Sequence, residues 1–220
     1  MPVSFPLCLL LSLLSIRVDH LKMSAIFDVA LLMKAANFAA ERHAAQRRKD
    51  VAMTPYVNHV IGVCHNLTQA GVTNVDVLCA ALLHDTLEDT ETTYDELVDE
   101  FGGFVASFVE EVSDDKSLPK AERKRLQVEH AAHASVGAQM IKLADKLNNL
   151  ESLVAGPPAF WTIQRRRDYI SWAKQVTDAC RGACPPLEKR LDDFYQKTVF
   201  ADDAAWDASA LELLAKTKDD

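Results

Sequence analysis

The ten residues Ala80-Ala81-Leu82-Leu83-His84-Asp85-Thr86-Leu87-Glu88-Asp89 constrain this chain more than any other stretch. An apolar run stops abruptly there, and five of the next six positions are polar or acidic. If one helix carries the whole stretch, residues four apart share a face. His84 then sits over Glu88, and Asp85 over Asp89. An imidazole and three carboxylates would leave a buried helix on one side. Like charges at that spacing repel, and unpaired buried charge is costly. A positive group belongs among them, and a divalent metal ion is the simplest one. The competing reading is a satisfied core histidine beside an acidic helix end. Acidic groups at a helix C-terminus oppose its dipole, which counts against that reading.

A chain of 220 residues fits one domain with appendages and can bury a substantial core. Its net charge of -8 argues against wholesale binding to a nucleic-acid backbone. An anionic substrate would need a local basic patch or a metal. The five cysteines, Cys8, Cys64, Cys79, Cys180 and Cys184, are odd in number and form no CxxC pair. Cys64 and Cys79 fall in apolar helical patterns, which points to a reducing compartment and not to a disulfide framework. Cys180 and Cys184 lie one helical turn apart, read first as a chance pair and second as a redox pair.

Residues 1–22 contain the hydrophobic run Phe5 to Ile16, too short for a transmembrane helix. No Lys or Arg precedes it and no clear cleavage site follows, so it makes a poor signal peptide. These residues read as a leader that is dispensable, wrongly assigned to the chain, or targeting. A further alternative is an added piece of core. Met23 reads as a fresh start. The expectation is a cytoplasmic protein without a membrane segment if the leader is not a functional address.

Beyond Met23 the pattern is helical throughout. Ser24 can cap a helix reaching about Arg47, whose basic end (Arg47, Arg48, Lys49) suits either the helix dipole or a phosphate. Thr54-Pro55 opens a second helix carrying His59 and His65; Gly71 breaks it, and a third runs from about Val75 into the opening stretch. Thr93-x-x-Glu96 is a capping box for a short helix ended by Gly102-Gly103. Phe104 to Val112 makes another, and Ser113 to Ser117 a loop. Pro119 starts the charged helix KAERKRLQVEH, whose cations read first as a solvated face and second as substrate-facing. Ser135 to Leu153 carries the apolar stripe Met140, Leu143, Leu147 and Leu150. Asp145 within it is either exposed and paired with Lys142 or Lys146, or aimed inward at a metal. Trp161, Arg165 and Tyr169 recur every four residues, as a core stripe or as a surface that stacks on a base or grips a phosphate. Pro185-Pro186 introduces a last helix to about Thr198. No strand-like alternation is sustained, and no Walker loop, GxGxxG or GxSxG occurs. The expected fold is all-α: a single bundle of about eight to ten helices over residues 23–200, with an acidic tail over 201–220.

The set His59, His84-Asp85 and Asp145 resembles the H…HD…D pattern of HD-superfamily phosphohydrolases. The surrounding text is more specific. RRKD…TPYVNH, AALLHDTLEDT, EEVSDDKSLP, ERKRLQVEHA and KLADKLNNL resemble the hydrolase domain of RelA/SpoT-type proteins, above all the stand-alone animal-type SpoT homologs. The likeness spans about Met23 to Phe194. It implies a hydrolase that binds one Mn²⁺ and removes pyrophosphate from the 3′ position of (p)ppGpp, giving GDP or GTP. It also implies an alternative, removal of the 2′-phosphate of NADPH. By motif position His59, His84, Asp85 and Asp145 would hold the metal, and Glu88 and Asp89 would be the catalytic acids. Arg48, Lys49, Lys116, Asn149, Trp161 and Arg165 would contact substrate. Two positions depart from the pattern: Val60 replaces a usual Pro, and Asn148 stands where an aromatic is common. Neither is expected to touch the ligands. A binding module without turnover is a further alternative, opposed by the complete set of acids and ligands. The oligomeric state is left open, a homo-oligomer included.

Overall fold

The computed structural model describes residues 28–199, and these are helical with short connections. Helix α1 covers 28–42. It is followed by α2 (Val57–Gln69), α3 (Val75–Leu83), α4 (Thr86–Asp89), α5 (Tyr94–Phe101), α6 (Gly103–Val112) and α7 (Lys120–Ala131). Helices α8 (Val136–Ala155), α9 (Ile163–Ala179) and α10 (Pro185–Val199) complete the described chain. The all-α expectation holds. The leader, Cys8, the Ser24 cap and the acidic tail fall outside the described residues.

Helix α8 is the axis of the bundle. It packs against α2, α3, α6, α9 and α10. Its buried face carries Ile141, Leu143, Ala144, Leu147 and Leu150, all essentially without solvent contact. Burying such side chains is worth about 1.5–3 kcal/mol each, so α8 is fixed firmly in register. Ser135 starts it by accepting the Ala138 N–H, and Gly156 ends it. Side-chain caps recur elsewhere: Asn74 opens α3, Thr93 opens α5 as the capping box predicts, and Thr162 opens α9. Gly71 and Gly102 take φ of +85°, a conformation that glycine adopts without the Cβ penalty.

Two expectations need correction. Helix α1 stops at 42, not near Arg47. The Arg47 guanidinium turns back to the carbonyls of Ala44 and Gln46 at 2.8 and 2.9 Å, so Arg47 closes the turn that follows the helix. Residues 46–56 then form a closed loop. Arg48 N–H donates to Thr54 O, Tyr56 N–H donates to Gln46 O, and Arg47 and Pro55 form an isolated antiparallel bridge.

The second correction concerns the opening stretch. One continuous helix does not carry it: α3 ends at Leu83, His84 and Asp85 form a turn, and α4 begins at Thr86. Side chains make the break. His84 Nδ1 sits 2.8 Å from Ala81 O, and Thr86 Oγ1 donates to Leu83 O at 2.7 Å. These are carbonyls that the next helical turn would have used. Asp85 relaxes to φ −97°, ψ 0°. Asp89 N–H still donates to Asp85 O, so one turn of register survives the break.

Candidate metal centre and active site

Three elements deliver the central donors: His59 from α2, the His84-Asp85 turn between α3 and α4, and Asp145 from α8. Both histidines are buried, at 4% and 5% exposure. The rings meet edge-on, with centroids 5.2 Å apart. Each Nδ1 is committed to a neutral oxygen: His84 to Ala81 O at 2.8 Å, and His59 to Asn148 Oδ1 at 2.7 Å. Those oxygens only accept, so each Nδ1 carries the proton and each Nε2 is left for something else. His59 Nε2 lies 3.2 Å from Asp145 Oδ1 and 3.6 Å from Asp85 Oδ2. His84 Nε2 lies 3.8 Å from Asp145 Oδ1 and 3.1 Å from Asp85 Oδ2.

The donor atoms of His59, His84 and Asp145 all fall within 4.8 Å of one another, a group that could hold a metal ion. Two imidazoles with a carboxylate suit a borderline divalent cation. The fit is supported by His84 Nε2, which is buried and has no aligned hydrogen-bond partner. Such an atom is rare without a reason, and a cation supplies one. Asp85 stands beside this group; its Oδ2 also accepts the Tyr56 hydroxyl at 2.7 Å.

Electrostatics bind the cluster together. Burial would raise the Asp85 carboxyl, but His84 and then His59 hold it well below the carboxylate range. For Asp145 burial is again overridden, first by Lys146 and then by His59. Lys146 Nζ lies 2.8 Å from Asp145 Oδ2, while Asn149 donates to Oδ1 at 2.5 Å. Asp145 thus does both things the sequence left open: it pairs with Lys146 and faces the histidines. Burial alone would lower the His84 pKa, yet the charges of Asp85 and Asp145 push it up to about 9.

The two expected acids diverge after the α3–α4 break. Glu88 shares a cavity of about 50 Å³ with His84, Asp85, Lys142, Asp145 and Lys146. It accepts the Asp114 N–H at 3.3 Å and faces Arg123 at 3.5 Å. Burial, then Asp114, Asp85 and Asp89, push its carboxyl up to about 7. Asp89 turns instead toward Gln46, at 3.1 Å, and pairs with Lys116. Part of the positive charge expected among these acids is therefore supplied by Lys116, Arg123 and Lys146.

Residues expected to face substrate link to this group and to one another. Arg48 donates to Asn149 Oδ1 at 2.9 Å, and Asn149 donates to Asp145, so the basic loop is wired to the metal group. Arg165 sits over the Trp161 ring at 4.5 Å, with Tyr169 behind it. Lys120 belongs here as well. Burial and then Arg165, Lys49 and Arg123 hold its ammonium below its ordinary range, so these four cations lie near one another. Arg123 among them also faces Glu88 and Asp114; a cluster of cations of this kind suits a multiply charged anion.

The comparisons with known proteins follow this geometry. The family model described as HD domain matches residues 35–170. The guanosine-3′,5′-bis(diphosphate) 3′-pyrophosphohydrolase MESH1 of Xenopus tropicalis is 53% identical, over 76% of this chain and 94% of its own length. Its counterpart in Homo sapiens is 52% identical over 77% of this chain and 96% of its own. A solved metazoan ortholog of SpoT, which hydrolyses ppGpp and plays a role in starvation responses, superposes with a TM-score of 0.75. It is 49% identical and covers 76% of this chain and 95% of its own. The chain belongs to the SpoT-type hydrolases of the HD-domain family.

Several residues of this HD-domain site escape sequence reasoning. Asn148 was expected to be remote from the ligands, and instead it orients His59. Gly62, one turn past His59, leaves it room: a Cβ there would collide with the Asn148 amide. The spacing Asp145-x-x-Asn148 on one helix was the available signal. Tyr56, three residues before His59, braces Asp85. Lys120 was hidden in a helix whose charge mixture read as solvated.

Two outcomes follow. Asn148→Leu removes the acceptor that fixes His59, and should weaken divalent-cation affinity roughly 10–100-fold in a protein of native helix content. Calorimetric titration with circular dichroism measures this; unchanged affinity would contradict the role. At pH 7 the metal-free His84 is protonated, since its pKa lies near 9. An ion taking Nε2 must displace that proton. Binding should release about one proton, and affinity should climb about tenfold per pH unit until the imidazole is neutral near pH 9. Titration in buffers of different ionisation heat reads the proton directly, and proton-neutral binding at pH 7 would refute it.

Proposed function

We propose that this chain is a Mn²⁺-dependent guanosine-3′,5′-bis(diphosphate) 3′-pyrophosphohydrolase, converting (p)ppGpp to GDP or GTP and pyrophosphate. The observation that carries the reading is the convergence of His59 Nε2, His84 Nε2 and Asp145 Oδ1 beside Glu88. His59, His84 and Asp145, with Asp85, would hold the ion. When bound, a divalent cation lowers the pKa of water and draws charge from a phosphoryl oxygen.

The residues of the chain do the rest. Arg48, Lys49, Lys116 and Arg165, joined by Lys120, neutralise the phosphates and orient them, while Trp161 and Asn149 flank the nucleoside. Water attacks the phosphorus attached to the ribose 3′ oxygen, in line with that oxygen. The new bond is water oxygen to phosphorus; the bond that breaks is phosphorus to the ribose oxygen. Asp89, held by Gln46 and Lys116, orients the water and takes its proton. Glu88, raised to about 7, gives its proton to the departing ribose oxygen. The same machinery would act on the 2′-phosphate of NADPH, because the chemistry at phosphorus is alike.

The test is a turnover assay on the purified protein with Mn²⁺. Pyrophosphate should appear from ppGpp, and NADPH assayed beside it should release inorganic phosphate if that ester is also taken. Asp145→Ala should lose metal binding and turnover together while staying helical. Glu88→Gln should keep the metal and lose about 10²–10⁴-fold in kcat. Release of neither product by the wild type would end the enzyme reading, and a wild-type rate in Glu88→Gln would remove Glu88 from its role.

A further inference from the structure

His43 is buried to 1% exposure, yet the chemistry above does not use it. Its Nδ1 lies 2.6 Å from Gln46 Oε1, and Gln46 Nε2 donates to Asp89 Oδ2 at 3.1 Å. The carboxylate can only accept, so the Gln46 NH₂ group must face Asp89. Its oxygen then faces His43, and Nδ1 is the donor. His43 Nε2 is left as an acceptor, enclosed and without a partner. An unpartnered buried acceptor costs stability, and an apolar side chain would fill this space without that cost. Packing therefore does not account for the imidazole; its Nδ1–H does.

Asp89 is gripped from two sides. Lys116 holds Oδ1 from the solvent side and is about half exposed, at 48%. Exposed pairs of this kind are weak and easily exchanged. Lys116 is also among the cations that arriving phosphates would recruit. When it turns to them, Gln46 is the remaining side-chain hold on Asp89. The His43 ring has a second neighbour in this arrangement: it packs against Tyr56 at 5.0 Å, and the Tyr56 hydroxyl donates to Asp85.

We propose that His43 and Gln46 are positioning residues: a buried imidazole–amide brace that keeps the Asp89 carboxylate aimed while Lys116 is engaged by substrate. The inference rests on the proposed hydrolysis of ppGpp. Its consequence is a defect in kcat, because the brace acts on the orientation of Asp89 and not on the cations proposed to bind the nucleotide.

Steady-state kinetics on ppGpp with Mn²⁺ test it. His43→Leu and Gln46→Met should each lower kcat roughly tenfold to a hundredfold, as small misplacements of reacting groups do, with KM within about twofold. His43→Asn places an amide N–H where Nδ1–H stood, and should recover most of the lost rate. The double variant His43→Leu/Gln46→Met should be no slower than the slower single variant, since both break one chain of bonds. Mn²⁺ affinity of Gln46→Met should match the wild type. Equal losses in His43→Asn and His43→Leu would show that packing matters and overturn the brace, as would wild-type kcat in Gln46→Met. A crystal structure of Gln46→Met provides a readout apart from turnover. An Asp89 carboxylate turned from its place supports the brace, and an unmoved one sinks it. A wild type that releases no pyrophosphate would fail the hydrolase reading alone.

Discussion

The commitment of two buried imidazoles is the interaction on which the site depends. His84 gives its Nδ1–H to the Ala81 carbonyl, and His59 gives its own to Asn148. Those bonds fix the tautomers and turn both Nε2 atoms toward Asp145. The fold exists to keep these three elements together. α2, α3 and α8 pack on one another, and the apolar residues of α8 leave it no freedom to slide. A displacement of one helical residue would carry Asp145 to another face.

Around that centre the acids differ in charge. Acids nearest the histidines are kept ionised by His84, His59 and Lys146. Glu88, by contrast, is pushed toward neutrality by burial and then by Asp114, Asp85 and Asp89. Lys49, Lys120, Arg123 and Arg165 lie near enough to one another to hold the Lys120 ammonium below its ordinary range. The contrast between Glu88 and the two aspartates, Asp85 and Asp145, arises from burial and neighbours, since all three are carboxylates.

Much of this was legible in the sequence, and for identifiable reasons. The helix ends were readable because caps are local: Ser135, Thr93 and the glycines at 71 and 102 act on their own neighbours. The candidate ligands were readable because His84, Asp85 and Asp145 interrupt apolar runs, where a polar residue needs a purpose. The break between α3 and α4 was not readable. It depends on His84 and Thr86 bonding back to carbonyls, a choice that helix periodicity cannot register. Asn148, Gly62 and Lys120 were missed for a second reason. Asn148 meets His59 and Gly62 on a different helix, Lys120 meets Lys49 and Arg165 from other elements, and only packing brings them together. For Arg47 the sequence left two uses open, because a cation after a helix serves carbonyl or phosphate equally well on paper, and the structure shows it on carbonyls.

The central claim is that two imidazoles and Asp145 hold a single cation. Anomalous diffraction at the manganese edge from crystals grown with Mn²⁺ tests it most directly. The account predicts one strong peak per chain, within bonding distance of His59 Nε2, His84 Nε2 and Asp145. A protein that binds no ion there, or binds it only at surface carboxylates, would contradict it.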